Sequence, residues 1–138
     1  MDTGGYIRLG NYNRAMAPDA APEPGEVVVG VDRMHPILGN HRHRLFRPND
    51  PVERARVVDA YRRDMQADFA RGGPMSVAVR ELVERVLAGE HLVAMCHCMP
   101  RQCHGSVIIE QVDRLVRQAR ASQVGTAPSL QPVGLLRS

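Results

Sequence analysis

The chain has 138 residues, of which 43% are hydrophobic and 24% are charged, a composition typical of one small globular domain. No apolar run approaches the roughly 20 residues that span a bilayer, and the N-terminus lacks a secretory pattern, so we expect a cytoplasmic protein without a membrane partner. The net charge of +3 and the 4% of aromatic residues are low for a dedicated nucleic-acid binder. They leave nucleic acid open as a partner.

The N-terminal part of the chain predicts two strands and a long loop. Residues 5–9 and Val27–Val31 favour strands, and the β-branched run in the second indicates a buried one. The proline-rich residues 18–24 between them predict a connecting loop. Residues 32–48 show neither the helical nor the strand periodicity of hydrophobic residues and therefore predict a second loop. Loops of this length are often functional.

The first predicted helix has clear signals at both ends. Asp50 stands at the N-cap, Pro51 and Glu53 complete the starting pattern, and Gly72–Gly73 end the helix. An apolar stripe predicts the side that faces the core, and its members are Val57, Val58, Tyr61, Met65 and Phe69. The arginines that lie mostly off this stripe are Arg54, Arg56, Arg62 and Arg63. We favour a solvated face for them over a track that binds phosphates.

The remaining pattern predicts a helix, a strand, a helix and a tail. These segments are a helix over about 75–88, a buried strand at His91–Cys96, a helix from near Ser106 to Arg120, and a mobile tail after Ser122. Strands that are joined through helices favour a right-handed crossover and parallel pairing. We therefore predict an α/β fold with a small, mostly parallel, Rossmann-like sheet of about three or more strands, flanked by about three helices.

The predicted domain organisation has three parts. Residues 1–25 contribute a strand and a proline-rich loop, residues 26–120 form a single α/β domain, and residues 121–138 form a flexible tail. Ligands of open parallel sheets bind beyond the carboxyl ends of the strands. The loop after Val31 and the turn after Cys96 both follow strands at that edge.

All three cysteines fall within eight residues, at Cys96, Cys98 and Cys103, and His104 follows the last of them. Three thiols and an imidazole are the donor set of a structural zinc site, so these four residues are an alternative metal site. A Cys-x-Cys pair on a strand is an unusual spacing for one ion, and we favour a chain that holds no metal. An odd number of cysteines in a cytosolic chain argues against a disulfide framework.

The turn that follows the strand also has features of an anion site. Gly105 permits close approach of the backbone, Ser106 can cap the next helix, and Arg101 offers a bidentate donor. Free amides at a helix start bind phosphate or carboxylate groups, and they also favour a thiolate. Cys103 is therefore a candidate nucleophile, and His104 is a candidate acid or base because imidazole titrates at roughly pH 6.5.

The segment from Gly89 to Gly105 has the pattern Gly-x-x-Leu-Val-x-x-Cys-x-Cys-x-Pro-x-x-Cys-His-Gly, with Arg33 and Leu38-Gly39-Asn40 upstream. With these motifs, residues 26–117 resemble the domain-of-unknown-function family 4326, found in bacteria and their phages. Members usually have an aromatic residue at the position of His97, and Pro-Phe in place of the two residues after Asn40. The resemblance implies that the Gly-Asn loop and the Cys-His-Gly turn form two walls of one nucleotide-sized pocket.

These observations lead to one preferred hypothesis and two alternatives. In the preferred hypothesis, the domain binds or modifies a nucleotide or another phosphate-bearing small molecule. The predicted ligand-binding residues are Arg33, Asn40, His41, Cys98, Arg101, Gly105 and Ser106, and the predicted catalytic residues are Cys103 and His104. The first alternative is a non-enzymatic zinc-binding module that contacts nucleic acid or protein. The second is an interaction protein that docks onto a larger assembly through its proline-rich segment and tail.

We predict that the purified, reduced protein holds less than one equivalent of zinc, because the Cys-x-Cys spacing suits a single tetrahedral ion poorly. Elemental analysis measures this content directly. A stoichiometric metal that resists mild chelation, with unfolding after its removal, would favour the zinc-binding alternative instead.

Overall fold

A computed structural model describes residues 4–11, 21–32, 35–43, 45–47, 49–96 and 103–126 of the chain. The strands and helices in these ranges are β1 (Tyr6–Asn11), β2 (Glu26–Gly30), α1 (Pro51–Arg71), α2 (Pro74–Leu87), β3 (His91–Cys96) and α3 (Gly105–Thr126). The three strands form one parallel sheet in the order β1-β3-β2. This arrangement confirms the predicted α/β fold with a small parallel sheet and three helices. Within the described ranges, no helix is long and apolar enough to cross a membrane.

The strand order decides which side chains of the sheet are buried. Leu92, Val93 and Ala94 are fully buried in β3, which has a neighbour on each side. In β2, by contrast, Val27 and Val28 are 41% and 45% exposed. The predicted burial of this strand is therefore wrong for these two valines, because β2 lies at an edge of the sheet.

The core lies on one face of the sheet. Side chains alternate between the two faces of a strand, and Ile7, Leu92 and Ala94 share the face on which the core lies. The helix residues of this core are Val58, Tyr61, Met65, Val79, Leu82, Val83, Val86, Val107, Ile108, Val112 and Val116. Helices α2 and α3 pack against each other and against the sheet, and α1 packs on both helices.

The start and the end of α1 confirm the sequence signals. The carboxylate of Asp50 accepts hydrogen bonds from the amides of Val52 (2.9 Å) and Glu53 (3.4 Å). The carboxylate of Glu53 accepts from the amide of Arg47 at 2.5 Å and not from the amide of Asp50, as in a capping box, because that amide donates to the carbonyl of Arg47 (2.9 Å). Gly72 ends the helix with φ of 66°, a left-handed conformation that glycine adopts without strain.

Two predictions about the helices need correction. Arg54 is only 5% exposed, because it lies three residues before Val57 and therefore on the buried side of α1. Helix α3 continues to Thr126 rather than ending at Arg120, since no glycine or proline interrupts it before Gly125. The predicted tail is thus helical at its start, and residues 127–138 lie outside the described part of the chain.

The face of the sheet opposite the core has an ion pair that crosses the central strand. Glu26 of β2 accepts two hydrogen bonds from the guanidinium of Arg8 in β1 (2.7 and 2.8 Å) and one from the hydroxyl of Tyr6 (2.6 Å). The side chain of Glu26 is 4% exposed. These hydrogen bonds, and above all those from Arg8, lower the pKa of Glu26 to about 2. The ring of Tyr6 also stacks on His91 of β3.

We expect Asp50→Ala to lower the free energy of unfolding by about 1 kcal/mol, because two amides of the first turn lose their acceptor. Asp50→Asn is the matched control, since asparagine caps a helix about as well as aspartate. Denaturant titration followed by circular dichroism measures both variants. An alanine variant as stable as the wild type would show that the cap contributes nothing, whereas lost ligand binding at unchanged stability would place Asp50 in the site.

The low pKa of Glu26 predicts how stability depends on pH. A carboxylate whose pKa is lowered by folding contributes stability above its ordinary value of 4.5, and this stability is lost as the pH falls toward about 2. We therefore expect a loss of stability over this acid range that is smaller in Glu26→Gln. Glu84→Gln, which changes an exposed carboxylate on α2, is the control. Identical acid profiles for the two variants would contradict the prediction.

Candidate functional site

The predicted acid or base, His104, is buried in the turn between β3 and α3. Its side-chain atom Nε2 lies 2.6 Å from the carbonyl oxygen of Val31, the first residue after β2. A carbonyl oxygen can only accept a hydrogen bond, so Nε2 has the proton and donates it. This bond joins the turn before α3 to the end of the neighbouring strand.

The predicted nucleophile, Cys103, lies beside this imidazole. Its sulfur is 3.7 Å from Nδ1 of His104, the nitrogen that has no proton in the neutral ring, and the amide of Gly105 donates to the sulfur at 3.4 Å. A thiol, a base and a group that orients the base are the components of a cysteine nucleophile. Cys103 is however only 3% exposed. The catalytic roles of both residues stay predictions.

The backbone amides in the first turn of α3 donate hydrogen bonds to carbonyl groups of the chain itself. The carbonyl of Cys103 accepts from the amide of Ser106 (3.1 Å), and the carbonyl of His104 accepts from the amides of Val107 (3.0 Å) and Ile108 (3.4 Å). The hydroxyl of Ser106 donates to the carbonyl of Cys103 at 2.8 Å. Ser106 therefore lies inside the helix and does not cap it, so that prediction is wrong. The predicted anion site at these amides stays a prediction.

Gly105, the first residue of α3, lies close to β1. A Cβ atom on Gly105 would lie 2.7 Å from Cδ1 of Leu9 in β1, which is closer than carbon atoms pack. A larger residue at position 105 would therefore require the side chain of Leu9 to move. Its predicted contact with a ligand stays untested.

A cavity of about 330 Å³ lies between residues 35–43, which we call the cavity loop, and the adjacent face of α1. Its walls are formed by Pro36, Ile37, Gly39, Asn40, His41, Arg42, Tyr61, Asp64, Ala67, Asp68, Arg71, Pro74 and Met75. Two predicted ligand-binding residues, Asn40 and His41, are among them. The predicted residues from Cys103 to Ser106 are not.

Asn40 and His41 give the cavity loop its shape. The side-chain amide of Asn40 donates to the carbonyl of His43 (3.0 Å), and its oxygen accepts from the amide of the same residue (3.2 Å). Nε2 of His41 lies 2.8 Å from the carbonyl of His35. Nδ1 of His35 in turn accepts from the amide of Leu38 at 2.8 Å. Burial, and next the nearby charge of His41, lower the pKa of His35.

Charged residues join the cavity loop and α2 to α1. The carboxylate of Asp64 contacts Nε2 of His43 (2.6 Å) and the guanidinium of Arg42 (3.1 Å). One turn further along α1, the carboxylate of Asp68 is buried and accepts from the amide of Ser76 at 2.7 Å. Arg71 contacts the same carboxylate at 3.4 Å.

Tyr61 connects the cavity to the turn that contains His104. Its hydroxyl donates to the carbonyl of Leu38 at 2.7 Å, and its ring lies edge-on to the imidazole with 5.0 Å between centroids. Burial raises the pKa of this tyrosine. The sequence predicts Tyr61 only as one member of an apolar stripe, and no local signal marks its link to the site.

Three predicted ligand-binding residues, Arg33, Cys98 and Arg101, lie outside the described residues. In the part of the chain that the structure describes, no group of three or more histidines, cysteines and acidic residues is placed to hold a metal ion. The alternative zinc site includes Cys98 and is therefore not tested by this observation.

Comparison with known proteins confirms the resemblance. A family model described as "Domain of unknown function (DUF4326)" matches residues 18–114, a segment that includes the cavity loop, both helices of the cavity wall and the Cys-His-Gly turn. No curated protein and no solved structure matches the chain. The chain therefore belongs to the domain-of-unknown-function family DUF4326.

Proposed function

We propose that the domain binds a nucleotide, or a molecule of similar size that joins a ring to a phosphate, in the cavity beside α1. The observation that carries this proposal is the presence of an apolar wall and two largely exposed guanidinium groups in one cavity of about 330 Å³. That volume is within the range of small-molecule sites, which is about 300–1,000 Å³.

The apolar part of the wall suits a base or another flat ring. Pro36 and Ile37 of the cavity loop lie on one side, and Met75 at the start of α2 contributes a flexible thioether. Ile37 is 38% exposed without a ligand, so a ring that covered it would remove apolar surface from water.

The charged part of the wall suits a phosphate. The side chains of Arg42 and Arg71 are 74% and 67% exposed, and each contacts a carboxylate through one nitrogen. A guanidinium has five N–H groups, so most donors of both arginines remain available for phosphate oxygens. The carboxylates have other partners, since Asp64 also contacts His43 and Asp68 accepts from the amide of Ser76.

The proposal differs from the sequence-based hypothesis in the place of the anion. It keeps Asn40 and His41 in the wall of the site and assigns the phosphate to the two arginines, because the amides at the start of α3 have partners within the chain. Cys103 and His104 lie behind Tyr61 and outside the cavity wall. We therefore propose binding at this cavity, without assigning a reaction to it.

We expect a nucleoside 5′-monophosphate to bind more tightly than its nucleoside in calorimetric titrations with the four common bases. Arg42→Ala and Arg71→Ala should each weaken binding of the monophosphate by about 1–3 kcal/mol and leave the nucleoside nearly unchanged, because a charged hydrogen bond is lost. Arg63→Ala is the control, since this exposed arginine of α1 pairs with Asp59 away from the cavity.

Two results would contradict the proposal. The first is that none of the nucleotides binds to the wild type. The second is that the arginine variants weaken the nucleoside and the monophosphate equally, because the phosphate would then make no contact with either guanidinium.

A further inference from the structure

Two buried side chains donate hydrogen bonds to backbone carbonyls, one directly after β2 and one within the cavity loop. Nε2 of His104 donates to the carbonyl of Val31, and the hydroxyl of Tyr61 donates to the carbonyl of Leu38. Val31 and Leu38 are 0% and 1% exposed. A buried carbonyl without a donor is costly, so both hydrogen bonds fix the backbone at these two points.

The side chains of these two donors also pack against each other. The rings of His104 and Tyr61 pack edge to face, and His104 follows Cys103 directly into α3. Tyr61 belongs to α1 and lines the cavity. One aromatic contact therefore joins the turn before α3 to the cavity wall.

From these contacts we infer that His104, together with Tyr61, is a positioning residue that holds the cavity loop in its ligand-binding shape. The inference rests on the proposed function only for what the cavity binds. The two sequence motifs then have separate structural roles. The Gly39-Asn40 segment forms part of the wall, and the Cys103-His104 turn holds the segment that leads to this wall.

A pair of substitutions at His104 tests this role. In His104→Gln the side-chain amide reaches the position of Nε2 and can donate to Val31, whereas the amide of His104→Asn ends near the position of Nδ1. Hydrogen exchange of the Leu38, Gly39 and His43 amides reports on the loop, because all three donate within it. We expect exchange on the order of fivefold faster in the asparagine variant, and near the wild-type rate in the glutamine variant.

Tyr61→Phe is a second variant, which keeps the ring and removes only the hydroxyl. It should accelerate exchange of the same three amides by a similar factor. The amides of β3 are the internal reference, because faster exchange there reports a loss of global stability rather than a change in the loop. Should His104→Asn fail to fold, Tyr61→Phe tests the same loop.

Exchange is measured without ligand, so its outcome is independent of the proposed function. The inference would be overturned if the loop amides of His104→Asn and Tyr61→Phe exchanged at the wild-type rate. It would also be overturned if the exchange of the β3 amides were accelerated by the same factor as that of the loop. If the loop responds and no nucleotide binds to the wild type, the proposed function fails and the positioning role stands. If nucleotide binds, its Kd should rise about fivefold in His104→Asn and recover in His104→Gln.

Discussion

The hydrogen bond from His104 to the carbonyl of Val31 is the contact on which the arrangement of the site depends. Strands β2 and β3 are parallel neighbours, so their carboxyl ends lie at the same edge of the sheet. Val31 directly follows β2, and His104 directly precedes α3. The amide of Val31 already donates to the carbonyl of Met95 in β3 (3.0 Å), and the bond from His104 adds a link to the start of α3. This bond lies inside the core, where water does not compete for the carbonyl.

Most secondary structure could be predicted from the sequence because its signals are local. Asp50 and Pro51 start α1, and Gly72 stops it, through groups that lie within a few residues of one another. The exposure of Val27 and Val28 could not be predicted in this way. It follows from the order of the strands, and a short β-branched run has the same composition at an edge and in the centre of a sheet.

The site could be predicted only in part for a related reason. The Cys-His-Gly motif identifies His104, and the Gly-Asn segment identifies one wall of the cavity. The partner of the Tyr61 hydroxyl, however, is the carbonyl of Leu38, which lies 23 residues earlier in the chain. Hydrophobic periodicity reports the side of α1 that is buried, but it contains no information about which distant backbone group a buried hydroxyl meets.

The segment that matches the family, residues 18–114, does not include β1. In the folded domain, β1 covers one edge of β3 and supplies Arg8 to the buried carboxylate of Glu26. A protein cut to the matched segment would therefore expose the backbone groups of its most apolar strand and remove the cation that pairs with Glu26. Open strands of this kind pair with one another, so such a fragment would aggregate through β3.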